Sequence, residues 1–396
     1  MIRLIPRVEN STAMVLLSPL LALTLTAVSA YLIFIFVLVD IPVSSVFFTL
    51  FVEPLIDSYY FSELLVKAAP LMIIGLGLSI GFRAGIWNIG AEGQYVMGGI
   101  AGSAVGLYFY NVEALWLLPL MTIAGIWNIG AEGQYVMGGI AGSAVGLYFY
   151  NVEALWLLPL MTIAGILGGM FYAGIAAFLR IKYQVNEILV TLMLTYVAVL
   201  FLSAMLQGPL RNPSGFNFPE SRIFHDSAML PIIWEGTRLH IGLIVAIILS
   251  FVAWFGIKKH MFGMQIKISG SAPRAAKFAG FDDNKTVWYS LLISGGLAGL
   301  AGLFEAAGPA GQLTPGLPQF YGFTAIIVAF LARLHPVGVL FSALLIALSY
   351  VGGENVQIEY NLPSSITQIF QGMLLFYFLA CDILIKYKVV SFKTKN

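Results

Sequence analysis

Charge is what this chain has least of. Asp, Glu, Lys and Arg make up 10% of its 396 residues, while 59% are hydrophobic. Soluble domains carry about 25% charged residues, so this is the composition of an integral membrane protein. The net charge of +1 offers nothing to a polyanion and excludes nucleic acid as a partner. The single cysteine, Cys381, falls in the last apolar segment. It excludes an intramolecular disulfide and a cysteine-rich metal site, and leaves the role of a small buried hydrophobe. Histidines stand apart at 225, 240, 260 and 335 with no His-Glu-x-x-His string, so no metal centre and no catalytic residue is expected. No Gly-Lys dipeptide occurs, so the chain has no phosphate-binding P-loop of its own.

What the chain does have is long apolar runs. A spanning helix needs about 20 apolar residues to cross a hydrocarbon layer of about 30 Å. Candidates lie at 12–39, 65–83, 92–110, 132–150, 154–180, 185–206, 239–257, 286–306, 319–334, 336–351 and 364–385. The first run, at about 28 residues, is too long for a signal-peptide core and reads as an uncleaved anchor. The runs are continuous rather than alternating, which excludes a membrane β-barrel. The expected fold is therefore an all-α polytopic membrane protein in one transmembrane domain.

Basic residues set the orientation. Arg3 and Arg7, Arg180 and Lys182, the cluster from Lys258 to Lys285, Arg333, and Lys386, Lys388, Lys393 and Lys395 fall on one side if ten helices cross. That side is cytoplasmic and holds both termini. The segment 258–285 is then the longest cytoplasmic connection, and 207–238, rich in proline and polar residues, the longest outer loop.

A forty-residue block, 84–123, is repeated without substitution at 124–163. Repeat architectures drift because each unit meets different neighbours, so perfect identity marks a recent tandem duplication instead. One added crossing would turn the downstream basic clusters outward, so either two segments of the doubled stretch span, giving twelve crossings, or neither does. Residues 114–129 would reach only about 24 Å as a helix and contain Pro119, so a re-entrant hairpin satisfies the parity as well as two crossings do.

The polar groups inside the apolar regions are few. Asn88, Glu92 and Gln94, with their copies Asn128, Glu132 and Gln134, lie among glycines in the string Trp-Asn-Ile-Gly-Ala-Glu-Gly-Gln. Ionisable groups at membrane depth are costly and usually line a path or site, which reads as a broken helix beside a polar route. A cytoplasmic helix–helix turn, with the glutamate near the next helix N-terminus, accounts for the same residues. Asn186 and Glu187 open another run, and Asn186, Thr191 and Thr195 fall near one helical stripe. A cap at Asn186 with Glu187 in the first turn is the simpler alternative. Glu305 sits near the outer end of its span as a boundary or pathway residue. Residues 269–280 have the pattern of a short amphipathic helix bounded by glycines, suited to anionic lipid or to a groove on a soluble partner.

Four blocks carry a family resemblance: GFRAGIWNIGAEGQYVMGG, VNEILVTLMLTYVA, SGSAPRAAKFAGF and YGFTAIIVAFLARLHPVGVLFSALL. They resemble, in order, the permease subunits of bacterial ABC importers, in the branch for nucleosides and simple sugars and more distantly those for ribose and branched-chain amino acids. The resemblance implies about ten spans in the cytoplasmic membrane and a non-enzymatic transport subunit. It implies partners: a second permease, two ABC ATPase subunits carrying ATP and Mg, and an extracytoplasmic substrate-binding lipoprotein. It places Arg274, Ala275, Ala276 and Gly280 in a coupling helix at the ATPase contact. Asn88, Glu92, Gln94, Asn128, Glu132, Gln134, Asn186 and Glu187 would then line the substrate pathway or its gate, with aromatics such as Phe320 meeting a planar base. An ion-gradient-driven transporter and a non-transporting scaffold are the alternatives. Polar groups in several spans speak against the scaffold.

Overall fold

The computed structural model describes residues 2–7, 11–37, 42–83, 130–150, 152–185, 187–216, 218–363 and 365–391. The expected span 92–110 and the segment 114–129 lie outside them. Each of the other ten expected runs carries a helix. These are α1 (Thr12–Val37), α4 (Ser58–Arg83), α5 (Ala131–Tyr148), α6 (Leu157–Tyr183), α7 (Glu187–Gln207), α8 (Gly242–Lys259), α11 (Asp283–Ala307), α12 (Tyr321–Leu331), α13 (Pro336–Tyr360) and α14 (Ser365–Lys386). Shorter helices are α2 (Val43–Phe51), α3 (Glu53–Ile56), α9 (Met261–Ser271) and α10 (Pro273–Phe278), and two strands, β1 (Ile2–Pro6) and β2 (Tyr387–Ser391), stand at the ends. Seven of the described helices are long and apolar enough to cross a membrane.

The chain divides into two compact units, one of residues 1–56, 92–117 and 348–396, the other of 57–91 and 118–347. In the first, α1 packs along α14. Ser18 donates a hydrogen bond to Asp382 at 3.2 Å and Ser29 meets the Tyr377 hydroxyl at 2.6 Å. β1 pairs antiparallel with β2, Ile2 opposite Ser391 and Pro6 opposite Tyr387. The two ends of the chain are thereby side by side.

The second unit is built on small residues. α11 packs against α6, α5 and α4, and its glycines let the helix backbones touch. A Cβ added at Gly138 would fall on the backbone of Gly299, and one at Gly302 on the carbonyl of Tyr135. Without a hydrophobic driving force between helices in lipid, such close approach supplies the van der Waals contact that holds them together.

Two segments depart from expectation. The run 319–334 forms only the eleven residues of α12, about 16 Å of helix and half of a bilayer core. The preceding stretch carries Gly308, Pro309, Gly311, Pro315, Gly316 and Pro318, and proline removes the amide that a helix interior needs. Its backbone and the end of α11 instead bond to the segment 207–238: the amides of Ser221, Phe224 and Leu230 donate to the carbonyls of Leu313 at 2.9 Å, Gly311 at 2.8 Å and Ala307 at 2.8 Å. Segment 258–285, expected as a connection with one short helix, holds two, α9 and α10, broken where Pro273 prevents Ala272 from staying helical. Gly280 closes the second with φ +78.

Candidate functional site

The duplicated string acquires its geometry where α5 begins. Glu132 lies in the first turn of α5 and is 1% exposed. It does not cap its own helix. One carboxylate oxygen accepts from the Phe320 amide at 2.9 Å, the other from the Gly322 amide at 2.6 Å, so it closes the N-terminus of the half-helix α12. The first amides of a helix have no partner within it and carry partial positive charge. Inside a bilayer water cannot satisfy them, so a carboxylate from a neighbouring helix does. Hydrogen bonds to a charged group are each worth about 1.5–3 kcal/mol. The approach needs a residue without a side chain on α12, since a Cβ at Gly322 would strike the backbone of Ala131 and Glu132.

Phe320, just ahead of α12, adopts the left-handed conformation, φ 59 and ψ 18, which costs a non-glycine residue about 1–2 kcal/mol. Its ring is 62% exposed and lies 6.3 Å from that of Phe323. One helical turn beyond Glu132, Tyr135 is fully buried, edge-on to Tyr321 at 6.2 Å, and its hydroxyl has no hydrogen-bond partner among the described residues.

The threonine stripe meets this junction. Thr191 and Thr195 on α7 are buried, and a Cβ at Gly130 or Gly133 would collide with them, so α5 starts flush against α7. Gln134 is buried beside them in the same turn of α5. Glu187 forms an ion pair with Arg180, joining the start of α7 to the end of α6. Asn88, Glu92, Gln94, Asn128 and Asn186 lie outside the described residues.

Elsewhere in this unit, Arg238 of the segment 207–238 forks onto Glu63 of α4, its Nε at 2.9 Å from one oxygen and its Nη2 on the other. These bonds hold the guanidinium above its ordinary value, against the lowering effect of partial burial. Glu305 lies within electrostatic reach of Lys67, Arg238 and Glu63, so it belongs to a charge cluster shared by α4, the segment 207–238 and α11. Toward the basic segment, Arg274, Ala275 and Gly280 are exposed and Ala276 is buried. Phe278, not anticipated from the sequence, is 96% exposed. Sequence reading also missed Gly322, Tyr135 and the Glu63–Arg238 pair. Only Tyr135 and Gly322 had a local signal, as neighbours of the polar string and of the proline-broken run.

The family described as branched-chain amino acid transport system / permease component matches residues 117–379. The chain belongs to this permease family. The match takes in all of the second copy and only the end of the first. A glucose ABC transporter permease of Haloferax volcanii is 31% identical over 350 residues, covering 86% of this chain and 81% of the relative. A guanosine ABC transporter permease of Bacillus subtilis is 28% identical over 86% of each chain. A nucleoside ABC transporter permease of Lactococcus lactis is 24% identical, covering 83% of this chain and 81% of the relative. No solved structure matches. The chain is thus a multi-pass permease subunit of an ABC importer, as its four sequence blocks indicated.

Proposed function

We propose that this permease admits nucleosides, or a related sugar-containing solute, through the cytoplasmic membrane with both termini inside. Support for the solute class comes from the relatives, whose names give guanosine, nucleosides and glucose. ATP hydrolysis falls to partner ABC ATPase subunits, which bring ATP and Mg, since this chain carries no P-loop. The ATPases seat on the α9–α10 segment, where Arg274, Ala275 and Gly280 are exposed and the buried Ala276 anchors α10 to the protein. A second permease completes the pathway and an extracytoplasmic substrate-binding lipoprotein delivers the solute. In the pathway, Glu132 and Gln134 act from the start of α5, Glu187 from the start of α7 and Phe320 from the head of α12. Asn88, Glu92, Gln94, Asn128 and Asn186 join them by sequence.

The deciding experiment reconstitutes the complete complex in proteoliposomes and offers guanosine, ribose and leucine in turn. ATP hydrolysis stimulated several-fold by guanosine, with ATP-dependent uptake, is the expected result. Stimulation by leucine alone would refute the nucleoside assignment, and uptake that follows an ion gradient without ATP would refute the ATPase partnership.

A further inference from the structure

α12 is short, at eleven residues, and has its N-terminal amides clasped by a side chain from another helix. A structural tie alone would need none of the other features at this junction. Phe320 is held in an unfavourable backbone conformation yet presents 62% of its surface. Gly322 leaves room for nothing but the carboxylate-bearing turn of α5. The buried Tyr135 hydroxyl, beside the first residue of α12, has no hydrogen-bond partner among the described residues. An unsatisfied buried polar group costs about 1–3 kcal/mol, so a junction that retains one is suited to receive a hydrogen-bonding visitor.

We infer that Glu132 is a positioning residue for solute passage: by clasping the backbone at Phe320 and Gly322 it fixes the half-helix α12 and holds the Phe320 ring against the solute route. Glu132 does not itself meet the solute, because it is buried with each oxygen turned onto a backbone amide of α12. Phe320 offers an aromatic face, which suits the planar base of a nucleoside or the C–H face of a sugar ring. The assignment rests on the reading of this chain as a solute pathway, but one arm of its test does not depend on the solute's identity.

That arm places one reactive thiol. Phe320→Cys is made in a Cys381→Ser background within the complete complex, and labelling by a charged, water-soluble maleimide is compared with labelling by a lipid-soluble one. The water-soluble reagent should label position 320, and Glu132→Gln should change its rate about fivefold or more. The glutamine keeps the volume but turns an amide donor toward a backbone amide. If only the lipid-soluble reagent reacts, Phe320 faces lipid and the proposal falls. A rate indifferent to Glu132→Gln overturns it too. Should that variant fail to reach the membrane, Gly322→Ala strikes the same clasp from α12 and is read identically. The second arm uses whichever of guanosine, ribose and leucine the wild type takes up. Glu132→Gln and Phe320→Ala should each raise the uptake KM about tenfold, and the double variant should be no worse than Phe320→Ala alone, since one acts through the other. A fall in maximal rate at constant KM, or additive effects, would leave Glu132 a structural tie only. Absence of guanosine uptake by the wild type counts against the nucleoside reading and not against this one.

Discussion

At the scale of single residues, Tyr135 separates stability from use. Its hydroxyl is buried with no hydrogen-bond partner among the described residues, and its ring packs edge-on to Tyr321. Tyr135→Phe retains the ring and removes only the unsatisfied group, so it should stabilise the purified complex by about 1 kcal/mol. A thermal midpoint a few degrees above wild type checks this. The same change should raise the uptake KM of a hydroxyl-rich solute if that hydroxyl serves passage, the usual conflict between a site's function and its stability. A lowered midpoint would mean that the hydroxyl is satisfied in the folded protein and that the junction is closed. None of this was legible in the sequence. The polar string stood out because its glutamate lies between apolar runs, but the partners of Glu132 are backbone amides 188 and 190 residues away, and backbone groups leave no mark on a sequence.

At the scale of elements, helix ends carry most of the chemistry. α8 begins at Gly242, and the His240 ring just ahead of it accepts from the Gly242 amide at 3.1 Å through Nδ1. It is 3% exposed and packs edge-on to Phe304. Burial pushes its pKa down to about 4, and protonation would remove the acceptor that the cap needs. The unfolded chain, titrating near an ordinary value of about 6.5, then binds the proton more readily than the folded protein. Stability is therefore full above that value and is lost as pH falls toward the folded pKa. Between pH 7 and pH 5 the loss should be on the order of 2 kcal/mol, read as a falling thermal midpoint, and His240→Gln should flatten that slope. Helices were the legible part of the fold, because a run such as 286–306 is apolar enough to announce a span. α12 was not, because the apolar run 319–334 hides the fact that the prolines before it leave only half a crossing. The basic segment 258–285 was legible as a connection between spans but not in its two-helix form, which Pro273 imposes.

At the scale of the whole molecule, the helical multi-pass architecture was the most legible property, since long continuous apolar runs announce spanning helices. Basic clusters call for an even number of crossings. The doubled block is the one large feature that parity leaves open. Its second copy supplies α5, with Glu132 on α12, Gly138 on Gly299 and the first turns of α6, and the family match spans it entirely while taking only the end of the first. A single copy therefore suffices to build every described contact of the junction. Because the copies are identical, removing 84–123 or 124–163 yields the same product, in which Arg83 is followed directly by Ala-Gly-Ile-Trp-Asn. That shortened permease should assemble with its ATPase partner, take up solute at least as fast per complex as the full chain, and melt no lower. The described contacts of α5 come from one copy, so the shortened chain keeps them. Slower uptake by the shortened form, at equal membrane abundance, would instead assign the extra copy a role of its own.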